Sequence, residues 1–159
     1  MGQFVIFQLM DQLFGVRIED VQEILDYQEI TPVPYAPKFV KGILDLRGEI
    51  VPVIELSRKF GHKDADAYSN YKLIVISLPN QQVGILVNDV TEVTSINEAD
   101  IRKPPALLSH KALAGIIKLN NRLVILLNVE NILQKEDFDL LEDISKLDQE
   151  ELAQLAKET

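Results

Sequence analysis

No cysteine and no tryptophan occur among the 159 residues. The first absence removes disulfides, thiolate nucleophiles and thiolate metal sites together, and it fits a reducing compartment, so the cytoplasm is the expected location. His62 and His110 are the sole histidines, and neither has a second His or Cys at ligand spacing. Both read as solvent-exposed imidazoles, and no metal is expected. Long apolar runs are missing too: nothing approaches the ~20 residues of a membrane span, and the opening MGQFVIFQLMDQL lacks the basic and long apolar regions of a signal peptide. Gly-rich phosphate loops, nucleophile elbows and zinc signatures are also lacking, so the chain reads as a non-enzyme without a cofactor.

Apolar residues make up 47% of the chain, enough at this length for roughly 70% of the unfolded surface to be buried without staples. The formal charge of −9 is concentrated: residues 130–159 hold ten Asp/Glu against three Lys, a net of −7. The body alternates instead, with −5 over 1–37, +3 over 38–63, −5 over 64–100 and +5 over 101–129. Basic stretches invite a nucleic-acid partner, but few aromatics interleave with them apart from Tyr35 and Phe39 beside Lys38, and the acidic tail competes with phosphate. No nucleic-acid partner is expected.

The stretch Gly42–Leu56, GILDLRGEIVPVIEL, has two strand-length apolar runs around Arg47-Gly48 and reads as a β-hairpin. Pro52 gives no N–H to a ladder, so the second arm is expected at a sheet edge or at a bend. Upstream, Phe4–Leu9, a turn at Asp11-Gln12 and Leu13–Ile18 read as strand, turn, strand. Val21, Ile24 and Leu25 fit one helical turn as well as a bulged strand. Pro32, Pro34 and Pro37 make Ile30–Lys41 an extended connector. After the hairpin, Ser57–Phe60 suits one helical turn capped by Gly61, before a polar loop from His62 to Asn70.

The second half repeats the first. Phe4–Leu9 matches Leu73–Leu78, and Gly15, Ile18, Asp20, Val21 and Glu23 match Gly84, Val87, Asp89, Val90 and Glu92, all at an offset of 69. Beyond a connector with Pro104 and Pro105, Gly42-Ile43, Leu46, Arg47-Gly48 and Val51 match Gly115-Ile116, Leu119, Asn120-Asn121 and Val124 at an offset of 73. Asn-Asn tolerates left-handed conformations and can make the same turn. Each copy supplies four or five short strands bent by Gly and Pro, which predicts an all-β fold of two small barrels. The expected division is 1–70 for the first barrel, 71–135 for the second with room for exchange of edge strands, and 136–159 for an acidic helical tail. Asn128 is placed to cap a helix from near Val129 through Ile132, Leu133, Leu140, Ile144 and Leu147, and Asp148–Glu151 resembles a capping box opening another.

Asp20/Glu23 and Asp89/Glu92 are the carboxylates the repeat places symmetrically. They either pin the same turn in both copies or act as paired acids, which requires a shared cleft. Arg47, on the hairpin tip, reads by itself as a solvated charge.

Pro37, Phe39, Gly42, Leu46-Arg47-Gly48, Pro52 and Leu56, with the upstream Val21-x-Glu23-Ile24, resemble the signature of the CheW family of bacterial chemotaxis coupling proteins. The resemblance covers residues 3 to 135, including Gly84-Ile85, Asp89-Val90, Gly115 and the region of Val129-Glu130. It implies one CheW-like domain over 1–159 built of two SH3-like five-stranded barrels plus a C-terminal helix. It further implies an adaptor without catalysis that binds the regulatory domain of the histidine kinase CheA and the cytoplasmic tip of a chemoreceptor, within receptor arrays at the inner face of the membrane.

The receptor site implied by the resemblance is an apolar groove between the barrels, lined by Val21 and Val90 and edged by Glu23, Lys41 and Arg47. Physically this is helix-in-groove recognition, with Arg47 offering bidentate pairing to a receptor carboxylate. Kinase contacts are implied near Tyr27 and, for array building, near Arg102 and Leu107. Asp45 stands where the family usually has Asn, and its charge two residues away is expected to hold Arg47 in the free protein. The acidic tail is longer than the common form needs and reads as an amphipathic helix over a barrel edge. A coupling-type scaffold of another kinase pathway, in pili or development, is the alternative, and a carboxylate enzyme is a third.

Overall fold

A computed structural model describes residues 2–60, 71–105 and 112–147, together with 150, 151 and 154. His62, His110, Leu107, the Gly61 cap and the start of the capping box at Asp148 lie outside the described residues. In chain order the strands are β1 (Gly2–Leu9), β2 (Gln12–Arg17), β3 (Val21–Asp26), β4 (Val40–Leu46), β5 (Glu49–Ile54), β6 (Lys72–Leu78), β7 (Gln81–Val87), β8 (Asp89–Ile96), β9 (Leu113–Leu119) and β10 (Arg122–Leu127). The α-helices α1 (Leu56–Lys59) and α2 (Lys135–Ser145) also lie among the described residues. The segment that fits helix and strand equally well resolves into a 3-10 turn at Ile18–Asp20 followed by β3.

The strands make two five-stranded sheets, with orders β8-β1-β2-β10-β9 and β3-β6-β7-β5-β4. The repeat carries one order into the other strand for strand. Yet neither sheet is one half of the sequence: β1 and β2 sit among β8, β9 and β10, while β3 to β7 form the other sheet from a continuous stretch. Relative to a division at residue 70, β3 to β5 and β8 to β10 stand in each other's places. Within the described residues the chain passes between the sheets twice, at Ile18–Asp20 and at Asn88. The second crossing is tied to the β1–β2 turn, where the Asn88 N–H donates to Gln8 O (2.9 Å) and its Oδ1 accepts from the Met10 N–H (3.2 Å).

Burial on both faces explains the unbroken apolar runs. Phe4 and Ile6 point into a cluster inside the first sheet, Val5 and Phe7 into a larger one between the sheets, and all four are buried. The second sheet does the same with Leu73 inside and Ile74 and Ile76 between.

Both sheets curl until a residue beyond the outer strand returns to the opposite edge. Thr31 exchanges two backbone hydrogen bonds with Ile43 (2.9 and 2.8 Å), and Arg102 does so with Ile116 (2.9 and 2.8 Å). The returning chain passes so close that a Cβ on Gly42 would lie 2.2 Å from the backbone Thr31 O, and one on Gly115 would lie 2.3 Å from the side-chain Cγ2 of Ile101 and 3.2 Å from Arg102 O. This crossing is why both copies keep a glycine there.

Pro52 departs from expectation, since β5 is an inner strand between β7 and β4. It pairs with Ile43, whose N–H and C=O are both turned away to Thr31, so no N–H is needed on that side. On the other side, pairing with β7 starts at Val53, one residue later.

The C-terminal helix begins later than the sequence predicts. Val129–Asn131 is a 3-10 turn without side-chain capping by Asn128, and α2 starts at Lys135 behind a capping box of Gln134 and Asp137. The helix fully buries Leu141 and Ile144 against the inter-sheet core. Asp137 also pairs with Lys59 Nζ (2.7 Å), and Phe138 O accepts from Gln81 Nε2 (3.2 Å), fixing the helix to α1 and β7.

Candidate functional site

Arg47 and Gly48 turn the β4–β5 hairpin with φ of 52° and 87°, both in the left-handed region of a type I′ turn. Asn120 and Asn121 repeat it with φ of 52° and 65°. Asp45 does not hold Arg47: its Oδ1 accepts from the Gly48 N–H (3.0 Å) and so braces the turn. The guanidinium instead reaches across to β3 and pairs through Nη2 with Glu23 Oε2. This hydrogen bond and the carboxylate's charge hold the Arg47 pKa above its ordinary value. Glu23 lies in register with Val75, which faces the inside of the second barrel over Leu46 and Val51. The ion pair thus spans the mouth of that barrel, between its two edge strands.

Val21 and Val90 occupy a neighbouring surface. Val21 pairs with Ile76 and Val90 with Phe7, and both partners belong to the inter-sheet core, on whose rim the two half-buried valines pack. Each sits beside a bulge, between Val21 and Glu23 in β3 and opposite Ile6/Phe7 in β8. The bulges reset which way the later residues of each strand face. Ile24 is in register with Ile74 and Val93 with Val5, both core residues, so these two side chains share the face of Val21 and Val90. They are 41% and 50% exposed, which extends the apolar rim of the core into solvent. Sequence reasoning passed over Ile24 and Val93 as site residues, although the offset of 69 relates them; a strict two-residue alternation would have put them on the face opposite the valines.

The other expected site residues lie apart. Lys41 is half-buried, the extra residue of a bulge between Val40 and Gly42. Tyr27 is half-buried with its ring against the cluster of Ile30, Leu44 and Leu73 inside the second barrel. Arg102 is exposed on the first barrel and lines a cavity of about 550 Å³ with Asp100, Lys118 and Leu123. A further cavity of about 590 Å³ lies under the Gly48 tip, between Gln22, the β6–β7 turn and the end of α2.

The symmetric carboxylates do not assemble. Glu23 is engaged by Arg47, Asp89 Oδ1 accepts from the Val90 N–H (2.9 Å), and Asp20 lines a small cavity of about 180 Å³ near Arg17. None of the described cavities is lined by two of the four. Among the described residues no group of three or more His, Asp or Glu is placed to hold a metal ion, and no helix is long and apolar enough to cross a membrane.

Residues 3–137, from β1 into α2, match the model of the CheW-like domain. The chain belongs to the CheW-like family. The chemotaxis protein CheW of Klebsiella aerogenes is 35% identical over 147 residues, covering 91% of this chain and 89% of that protein. The CheW of Helicobacter pylori is 35% identical over 136 residues, 84% and 82% of the two chains. Among solved structures, the scaffolding protein TtCheW of Thermoanaerobacter tengcongensis superposes with a TM-score of 0.76 at 31% identity, covering 84% of this chain and 88% of its own. The CheW-like match includes Arg47, Glu23, Val21 and Val90, while most of α2 lies beyond its end.

Proposed function

We propose that this chain is a non-enzymatic adaptor that couples a chemoreceptor to the histidine kinase CheA in bacterial chemotaxis, working in the cytoplasm at receptor arrays. One observation carries the reading: a pseudo-symmetric apolar rim of Val21, Ile24, Val90 and Val93 lies beside an exposed arginine whose present partner is a single carboxylate. That combination suits a receptor helix, which lays apolar side chains on the rim and offers a carboxylate to compete with Glu23 for Arg47. Lys41 lies further along β4. Tyr27, Arg102 and Leu107 remain the proposed kinase contacts.

Titration with a receptor cytoplasmic fragment and with the kinase regulatory domain tests the proposal. Arg47→Glu, which presents a second carboxylate to Glu23 and to the receptor, is expected to weaken receptor binding about tenfold or more and leave kinase binding within about twofold. Absence of binding to both partners by the parent chain would sink the adaptor reading. Equal loss of both partners in a folded Arg47→Glu would show that the groove is misplaced.

A further inference from the structure

The cavity of about 590 Å³ under the Gly48 tip brings unpaired acceptors together. Gln81 and Gln82, at the start of β7, both spend a side-chain donor: Gln81 Nε2 on Phe138 O (3.2 Å) and Gln82 Nε2 on Glu49 Oε2 (2.9 Å). The Oε1 atom of each is buried and accepts nothing from the described residues. An amide carbonyl left without a donor costs stability, so two of them on neighbouring residues call for a reason. Glu49 is the one charged side chain among the described residues that line the cavity. The end of α2, where Ser145 reaches the cavity, adds the negative end of the helix dipole. No basic residue stands in the last turn of that helix, and Lys146 just beyond it pairs with Glu142 (3.3 Å).

The repeat shows that the fold does not require these groups. It places Gln12 at the position of Gln81, Leu13 at that of Gln82 and Arg122 at that of Glu49. In that copy Gln12 Nε2 donates to Leu123 O (3.1 Å), an apolar residue replaces the second glutamine, and the charge is reversed. The equivalent strands and hairpin form all the same. Ser145 and Leu147, which line the cavity from the helix side, also lie beyond the CheW-like match.

The cavity continues the proposed receptor surface. Gly48 and Gln22, which line it, are the chain neighbours of Arg47 and of Val21 and Glu23. A helix that sets an apolar side chain on Val21 and a carboxylate on Arg47 therefore passes beside it. Unpaired carbonyls, a carboxylate and a helix C-terminus select a positively charged group that only donates, and the soft terminal torsion of a glutamine lets Oε1 turn toward it. We infer that the cavity is a second receptor subsite, which takes the ammonium or guanidinium of a lysine or arginine three or four residues from the carboxylate that Arg47 binds on the receptor helix. The inference rests on the adaptor reading above.

Two variants borrow residues from the first barrel and so suit the fold. Gln82→Leu removes one acceptor, and Glu49→Arg reverses the lining charge. Each is expected to weaken receptor-fragment binding at least about tenfold and to leave affinity for the kinase regulatory domain within about twofold. Gln82→Leu should also hold Tm at or above that of the parent, because a buried unpaired acceptor is gone. The sign for Glu49→Arg is diagnostic: positive charge added beside Arg47 strengthens pairing with a carboxylate and opposes the docking of a cation. A receptor affinity within about twofold of the parent for either variant, or tighter binding by Glu49→Arg, overturns the inference while the adaptor reading stands. Spermidine tests a free amine as the occupant: spermidine binding that Gln82→Leu abolishes, with receptor affinity unchanged, overturns the receptor subsite. Loss of both partners by either variant overturns it as well. A parent chain that binds neither partner overturns the adaptor reading and this inference with it.

Discussion

Replacing Gly42 by alanine places a Cβ 2.2 Å from Thr31 O and 2.8 Å from Ile30 Cγ2, at a φ of +154° that L side chains rarely adopt. The first obstacle is backbone, so it cannot swing aside as a side chain end would. Relief requires Thr31 to withdraw, which gives up the two hydrogen bonds it exchanges with Ile43. Two such bonds are worth about 2 kcal/mol and the unfavourable φ about 1–2 kcal/mol. Alanine returns about 0.5–1 kcal/mol by restricting the unfolded chain, which leaves a net loss of about 3 kcal/mol. With a urea dependence of about 2 kcal/mol per molar, the denaturation midpoint falls by about 1.5 M. Gly48→Ala is the control: its φ is also positive, at 87°, but nothing lies within 4 Å of the added Cβ, so only the conformational cost of about 1 kcal/mol applies. Equal midpoint shifts for the two variants would refute the close approach of the returning strand as the reason for the glycine.

Two further outcomes are expected from the packing and from charge. Leu141→Ala, which empties a fully buried site under α2, is expected to cost about 3 kcal/mol in urea denaturation; a loss under about 1 kcal/mol would mean the helix is not integral to the core. Burial first, and then Glu19 and Glu130, raise the Asp20 carboxyl above its ordinary 3.8 against the pull of Arg17. The folded state therefore holds this proton more tightly than the unfolded chain, and stability falls as pH rises from 3.8 through the raised value. Asp20→Asn should be the more stable form at pH 7, by about a few tenths of a kcal/mol given its exposure, and should lose that advantage below about pH 3. A pH-independent difference would contradict it.

The hairpin around Arg47-Gly48 and its second copy at Asn120-Asn121 were legible because a tight turn has a local chemical signature that two apolar arms reinforce. The β1–β2 turn was displaced by one residue, to Met10-Asp11, since Met10 carries no turn signal of its own. Which strands share a sheet was not legible. The repeat shows that two similar units exist, and is silent on whether β1 and β2 serve their own copy or the other, because both arrangements bury the same side chains. The start of α2 was missed for a related reason: Ile132 and Leu133 are buried by the turn after β10 and not by a helix, so apolar spacing continued past the true boundary. At the site, Val21, Val90, Glu23 and Arg47 came from the motif, while the Glu23–Arg47 pairing spans 24 residues and depends on how the barrel closes. The bulges that turn Ile24 and Val93 onto the face of Val21 and Val90 leave no trace in composition.

Because β1 and β2 are embedded in a sheet with β8 to β10, the chain stitches the two barrels together twice, and Val21 and Val90 stand directly after the two stitches. A single linker would let the barrels swing apart like beads. The two covalent crossings leave from opposite ends of β1, one after Arg17 beside Phe4 and the other at Asn88 beside Gln8, so a hinge between the barrels is confined to the line that joins them. The two crossings and the shared inter-sheet core together resist separation of the barrels.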